Sequence, residues 1–169
     1  MPLDLNELTA RICPAEARRD IVRERIKGWT KKWILRGSTP GRGGVRKWHH
    51  RMILDAALLD VLVEHGLQPA EWDLRPAFYV LRDAASAWAS GDTDSQHWLQ
   101  LFFQSRQSRR GWVIALLLIG KSGQQPDLNW PTDEEATLII SLTSILKRLQ
   151  WTAADQEAVE ADSQRRKII

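Results

Sequence analysis

Between Arg18 and Arg51 the chain sets twelve lysines and arginines against two carboxylates, on a frame of regularly spaced apolar residues. A segment carrying 12 − 2 = +10 cannot be buried whole. Yet Val22, Ile26, Trp29 and Trp33 recur at intervals of four, three and four, the spacing of a helix with one inward stripe. Together these facts call for a surface helix with an apolar back and a cationic front. The basic residues are Arg18, Arg19, Arg23, Arg25, Lys27, Lys31, Lys32, Arg36, Arg42, Arg46, Lys47 and Arg51, opposed by Asp20 and Glu24. The whole chain, with 24 basic and 21 acidic residues, carries only +3, so everything outside this window sums to 3 − 10 = −7. Charge focused in this way draws phosphate and steers its approach.

The spacing predicts a helix over 20–33, with Arg23, Lys27 and Lys31 on an outward stripe and Gly28 as a weak point inside it. Before it, Asp4 and Glu7 form a capping-box pattern, and Leu5, Leu8 and Ile12 have helical spacing, so a short helix over 4–12 ends near Cys13, before Pro14. From Arg36 to Trp48 the chain turns to glycine and proline with basic residues between them, which predicts a short basic hairpin. A third helix over about 50–64 follows. It carries Ile53, Ala57 and Val61 on one row and Leu54, Leu58 and Leu62 on another, with Gly66 placed as its C′ residue.

Helix, turn, basic helix, glycine-rich basic hairpin and helix is the order of a winged helix-turn-helix. Arg25-Ile26 leading into Trp29 and Trp33-Ile34-Leu35, then Gly41-Arg42-Gly43 and Arg46-x-Trp48, resembles the MerR-type DNA-binding domain over about residues 5 to 66. The family has an aromatic near the end of its recognition helix, a Gly-Leu-Leu-like exit, and a wing with an arginine two residues before an aromatic. Here those positions hold Trp29, then Trp33-Ile34-Leu35, then Arg46 and Trp48. The resemblance implies a sequence-specific transcriptional regulator that binds duplex DNA as a homodimer, in the cytoplasm on the nucleoid, with RNA polymerase as a further partner. With the charge pattern it singles out Arg19, Arg23, Arg25, Lys27, Thr30, Lys31, Arg42, Arg46 and Lys47 as DNA contacts. An excisionase-like or architectural DNA-binding protein is the alternative, and a small-molecule or protein-interaction module a third reading. The family's metal sensors have a long dimerisation helix and cysteine ligands, neither of which this chain has, so metal sensing is not implied.

Texture changes after Gly66. Residues 69–169 hold 11 basic and 13 acidic residues, a net of −2, and Gly66, Pro69 and Pro76 mark a linker. The expected domains are a winged helix-turn-helix over 1–68, an α+β dimerisation or sensing domain over 69–151, and a polar tail over 152–169. In the second, a helix runs from Pro76 to Ser90, 98–103 and 112–119 form a β-hairpin, and 132–149 reads as a strand running into a short helix. The fold class is α+β. Both hairpin strands carry apolar residues on each face, so they want cover on both sides, and a second subunit is the expected cover for one.

Function classes are narrowed by what the chain lacks. The single cysteine, Cys13, can form neither an internal disulfide nor a cysteine-based zinc site, which fits a reducing compartment. No apolar run approaches the roughly 20 residues of a membrane span. His49-His50, His65 and His97 lack ligand spacing, and Asp133-Glu134-Glu135 reads as the acidic first turn of a helix. There is no phosphate-binding glycine loop and no nucleophile motif. No enzyme, metal or cofactor is expected.

Overall fold

The computed structural model describes residues 2–37, 45–104, 111–121 and 136–166. It is a mixed helix and sheet protein, the expected α+β class, in two compact units. One comprises Met1–Leu67 together with Thr152–Ile169, the other Gln68–Trp151.

The first unit is built around α3 (Met52–Glu64), in which every residue from Met52 to Asp60 is buried. A helix apolar nearly all round has to sit inside others. α1 (Leu5–Ile12) supplies Leu8 and Ile12, and α2 (Arg19–Lys31) supplies Val22, Ile26 and Trp29. The α1 start is the expected capping box: Asp4 accepts from the Glu7 N–H at 2.9 Å, and the Glu7 carboxylate accepts from the Asp4 N–H at 2.7 Å. A 3₁₀ turn at Glu16–Arg18 fills the stretch between α1 and α2. Gly66, at φ +82°, adopts the left-handed conformation that glycine accommodates best after a helix.

Two expectations in this unit are corrected. The helix predicted over 20–33 ends at Lys31, so Trp33 lies outside the inward stripe. The 152–169 segment, expected as a polar tail, instead forms α6 (Ala153–Arg166) and belongs with the N-terminal unit. Its first turn is capped reciprocally: Thr152 N–H donates to Asp155 Oδ2 at 3.0 Å, and Asp155 N–H to Thr152 Oγ1 at 3.3 Å. Asp155 also accepts from Arg11 at 2.7 Å and lies 2.9 Å from His50 Nε2, while Asp162 accepts from the His50 backbone N–H at 3.0 Å. A helix docked through carboxylates leaves no apolar periodicity to read.

The second unit holds a sheet ordered β1-β3-β2-β4. β2 (Ser95–Gln104) and β3 (Gly111–Lys121) form the expected antiparallel hairpin, longer at both ends than predicted, with Leu99 opposite Leu117 and Phe103 opposite Val113. β4 (Ala136–Ser141) pairs antiparallel with β2 and runs into α5 (Leu142–Leu149), capped by the Ser141 side chain, as expected for a strand leading into a helix. A two-residue β1 (Trp72–Asp73) pairs in parallel with β3. α4 (Arg75–Ala89) buries Phe78 and Leu81 together with three alanines, Ala77, Ala84 and Ala85, on its inward face. The inner strand β2 is buried on both faces, with His97, Leu99, Leu101 and Phe103 on one and Gln100 and Phe102 on the other. The expected helix-start pattern at Thr132 and Glu135 and the acidic run at 133–135 lie outside the described residues.

Candidate nucleic-acid interface

The inner face of α2 carries Val22 and Ile26, both fully buried, with Trp29 and Thr30 beside them. Helical geometry then turns Asp20, Ile21, Glu24, Lys27, Gly28 and Lys31 outward. The N-terminal half of that outer face is internally neutralised: Asp20 pairs with Arg23 at 3.0 Å and Glu24 with Lys27 at 2.6 Å. Its C-terminal half is different. Lys31, Lys32 and Arg36 are exposed and make no ion pair with any described residue, and Lys27 stands next to them. The cationic surface is therefore centred on the end of α2 and its exit.

Two residues singled out from the sequence turn inward in the structure. Thr30 is 7 % exposed, and its hydroxyl donates to the Ile26 carbonyl at 2.7 Å, so it is spent inside the unit. Arg25 reaches across to the buried Asp60 on α3 at 2.5 Å, where Arg18 also faces that carboxylate at 3.8 Å. A buried carboxylate needs such partners, which fixes Arg25 as a brace between α2 and α3. Arg19 is likewise occupied, donating to the carbonyls of Cys13 at 3.2 Å and Pro14 at 2.9 Å and closing the turn after α1. Of the predicted helix contacts, Arg23, Lys27 and Lys31 remain on or beside the outer face.

The glycine-rich segment is seen at its two ends. A Cβ on Gly37 would lie 2.9 Å from Arg46 Cδ and from Trp48 Nε1, so the departing and returning limbs lie side by side. The returning limb is tied to the residue pair before α1 by an isolated antiparallel bridge, a pair of 2.8 Å hydrogen bonds between Leu3 and Trp48. Arg46 and Lys47 are half-buried on that limb; Arg42 lies outside the described residues. The limb continues into His49 and His50, which meet the two α6 aspartates. Burial alone would raise the Asp155 carboxyl, but hydrogen bonds from His50 and Thr152 and the Arg11 charge outweigh it and hold the group below its ordinary value. Asp162 behaves alike: burial opposes, while the His50 N–H and the His49 side chain prevail. Apolar periodicity gave no sign of these histidine–aspartate contacts below the returning limb. Their one legible signal was the Thr152-x-x-Asp155 cap pattern.

Gly28 sits half-buried in α2, and a Cβ there would meet nothing within 4 Å. Glycine costs a helix interior up to about 1 kcal/mol relative to alanine, and no neighbour in the fold requires it. Gly28→Ala should therefore stabilise the unit by about 0.5–1 kcal/mol in urea titrations. If the outer face of α2 lies against a nucleic-acid groove, the same substitution should weaken binding severalfold.

Among the described residues no helix is long and apolar enough to cross a membrane. The chain matches no protein-family model and no curated protein.

Proposed function

We propose that the first unit is a winged helix-turn-helix that binds duplex DNA, and that the chain is a DNA-binding transcriptional regulator acting as a homodimer. The observation that carries this reading is the pairing of a buried inner face on α2, built mainly from Val22, Ile26 and Trp29, with exposed Lys31, Lys32 and Arg36 at its exit. Cations of one sign on a rigid element, beside two limbs of a basic glycine-rich segment, match a phosphate backbone and its groove. In this reading α2 enters the major groove, the 38–47 segment lies on the backbone or in the minor groove, and the second unit provides self-association through its sheet. RNA polymerase and a nucleoid location belong to the same proposal.

Fluorescence anisotropy with a labelled duplex at low salt tests the reading. The full chain should bind. Lys31→Ala and Lys32→Ala should each weaken every duplex by about three- to tenfold, as expected for phosphate contacts. Arg23→Ala or Lys27→Ala should change the ranking of sequences if those side chains reach base edges. A chain that shows no duplex binding, or one in which none of these substitutions alters affinity, contradicts the proposal.

A further inference from the structure

The last turn of α2 closes as a Schellman motif. Ile34 N–H donates to the Trp29 carbonyl at 2.9 Å and Trp33 N–H to the Thr30 carbonyl at 3.2 Å, which places Trp33 at the C′ position. That position demands a left-handed backbone, and Trp33 adopts it with φ 59°. Glycine enters this conformation without penalty, whereas a residue with a Cβ is strained there. Nor is the strain offset by packing, because Trp33 is 72 % exposed, the most exposed of the large apolar residues described. Its ring makes no hydrogen bond or ring contact with any described residue. The fold therefore bears a strained backbone and an unburied indole at one position, where glycine would relieve both.

We propose that Trp33 is a DNA-contacting residue, its indole packing against the sugar and base edges of a duplex whose phosphates are held by Lys31, Lys32 and Arg36. This rests on the reading of the same surface as a DNA-binding face. A ligand that satisfies three exposed cations and a flat apolar ring within six residues needs closely spaced anionic groups alternating with apolar sugar and groove-edge surface. Nucleic acid has that alternation along its whole length. The left-handed turn is what holds the ring outward, because a C′ side chain leaves the helix axis instead of folding back over the preceding turn. Backbone strain stored where a side chain must be presented is a recognised feature of binding sites.

The test uses the full chain carrying Trp33→Gly and, separately, Trp33→Asn, whose residue also tolerates the left-handed region. Thermal melting and anisotropy with one labelled duplex are read side by side. Both variants should melt at or above the parent's midpoint, while DNA affinity falls about tenfold, as for loss of one aromatic contact. The slope of log affinity against log salt should stay unchanged, because the indole neutralises no phosphate; Lys32→Ala should reduce that slope. Parent-like affinity in both variants overturns the proposal. So does a lowered melting midpoint in both, which would assign Trp33 to the fold, and so does binding of an acidic peptide that competes with DNA and shows the same dependence on Trp33. If the parent binds no duplex, this inference and the interface reading fall together; if it binds and the variants bind equally well, this inference alone falls.

Discussion

Raising salt from 50 to 200 mM will weaken duplex binding by the full chain about 500-fold per bound copy. The figure follows from Lys27, Lys31, Lys32, Arg36 and Arg46, the cations on or beside the outer face and on the returning 45–48 limb. Neutralising about five phosphates gives a slope near −4.5 in log affinity against log salt, and a fourfold change in salt raised to that power is about 500. The slope also counts copies. A homodimer engaging both half-sites would show about twice that value, so anisotropy at several salt concentrations, read beside sedimentation of the free chain, tests DNA contact and self-association together. A slope shallower than about −2 would mean that the basic surface meets few phosphates. A single-copy slope from a monomeric chain would return the second unit's strands to a purely internal role.

Asp155→Ala will cost the first unit about 2–4 kcal/mol. This carboxylate accepts from Arg11 at 2.7 Å and from Thr152 N–H and Oγ1 at 3.0 and 2.9 Å, and it meets His50 Nε2 at 2.9 Å. Truncation removes the α6 cap, worth about 1 kcal/mol, and strands a guanidinium and an imidazole that are only partly open to water. Arg11 keeps 35 % of its side-chain exposure, which holds the estimate below the cost of breaking a fully buried pair. Urea unfolding measures the loss directly; a change below about 0.5 kcal/mol would show that α6 adds nothing to the unit. Acid should act in the same direction. Both Asp155 and Asp162 are held below their ordinary values, so the stability they contribute is fully present above the usual carboxylate range, near about pH 4. It is lost as pH falls through their lower folded values. The melting midpoint of the parent should therefore drop more steeply in acid than that of Asp155→Ala. Because α6 is part of the unit, a DNA-binding fragment has to carry it and not stop near Gln68.

Net charge agrees with that partition. Residues 1–67 carry 13 basic and 8 acidic side chains, and 152–169 carry 3 and 4, giving +5 − 1 = +4 for the first unit. The remaining 68–151 holds 8 and 9, a net of −1, so nearly all the excess positive charge lies in the unit that bears α2.

Local physics made part of this molecule legible. Asp4 with Glu7, Gly66 after α3, the β2–β3 hairpin and the strand entering α5 each rest on interactions within a few residues, so their patterns survive in the chain alone. Thr30 was also within reach, since it follows Ile26 by four and shares its stripe. What the sequence by itself determined is an apolar-backed basic helix, its flanking helices and a small sheet, because period and turn chemistry are local properties. Only the tertiary structure decided that Arg25 serves Asp60, that Trp33 is turned out of the core, and that α6, which follows the second unit in sequence, packs with Arg11 and His50 of the first. Those outcomes depend on which polar partner lies opposite in space, and a carboxylate 35 or 144 residues away leaves no mark in the periodicity of the segment it joins.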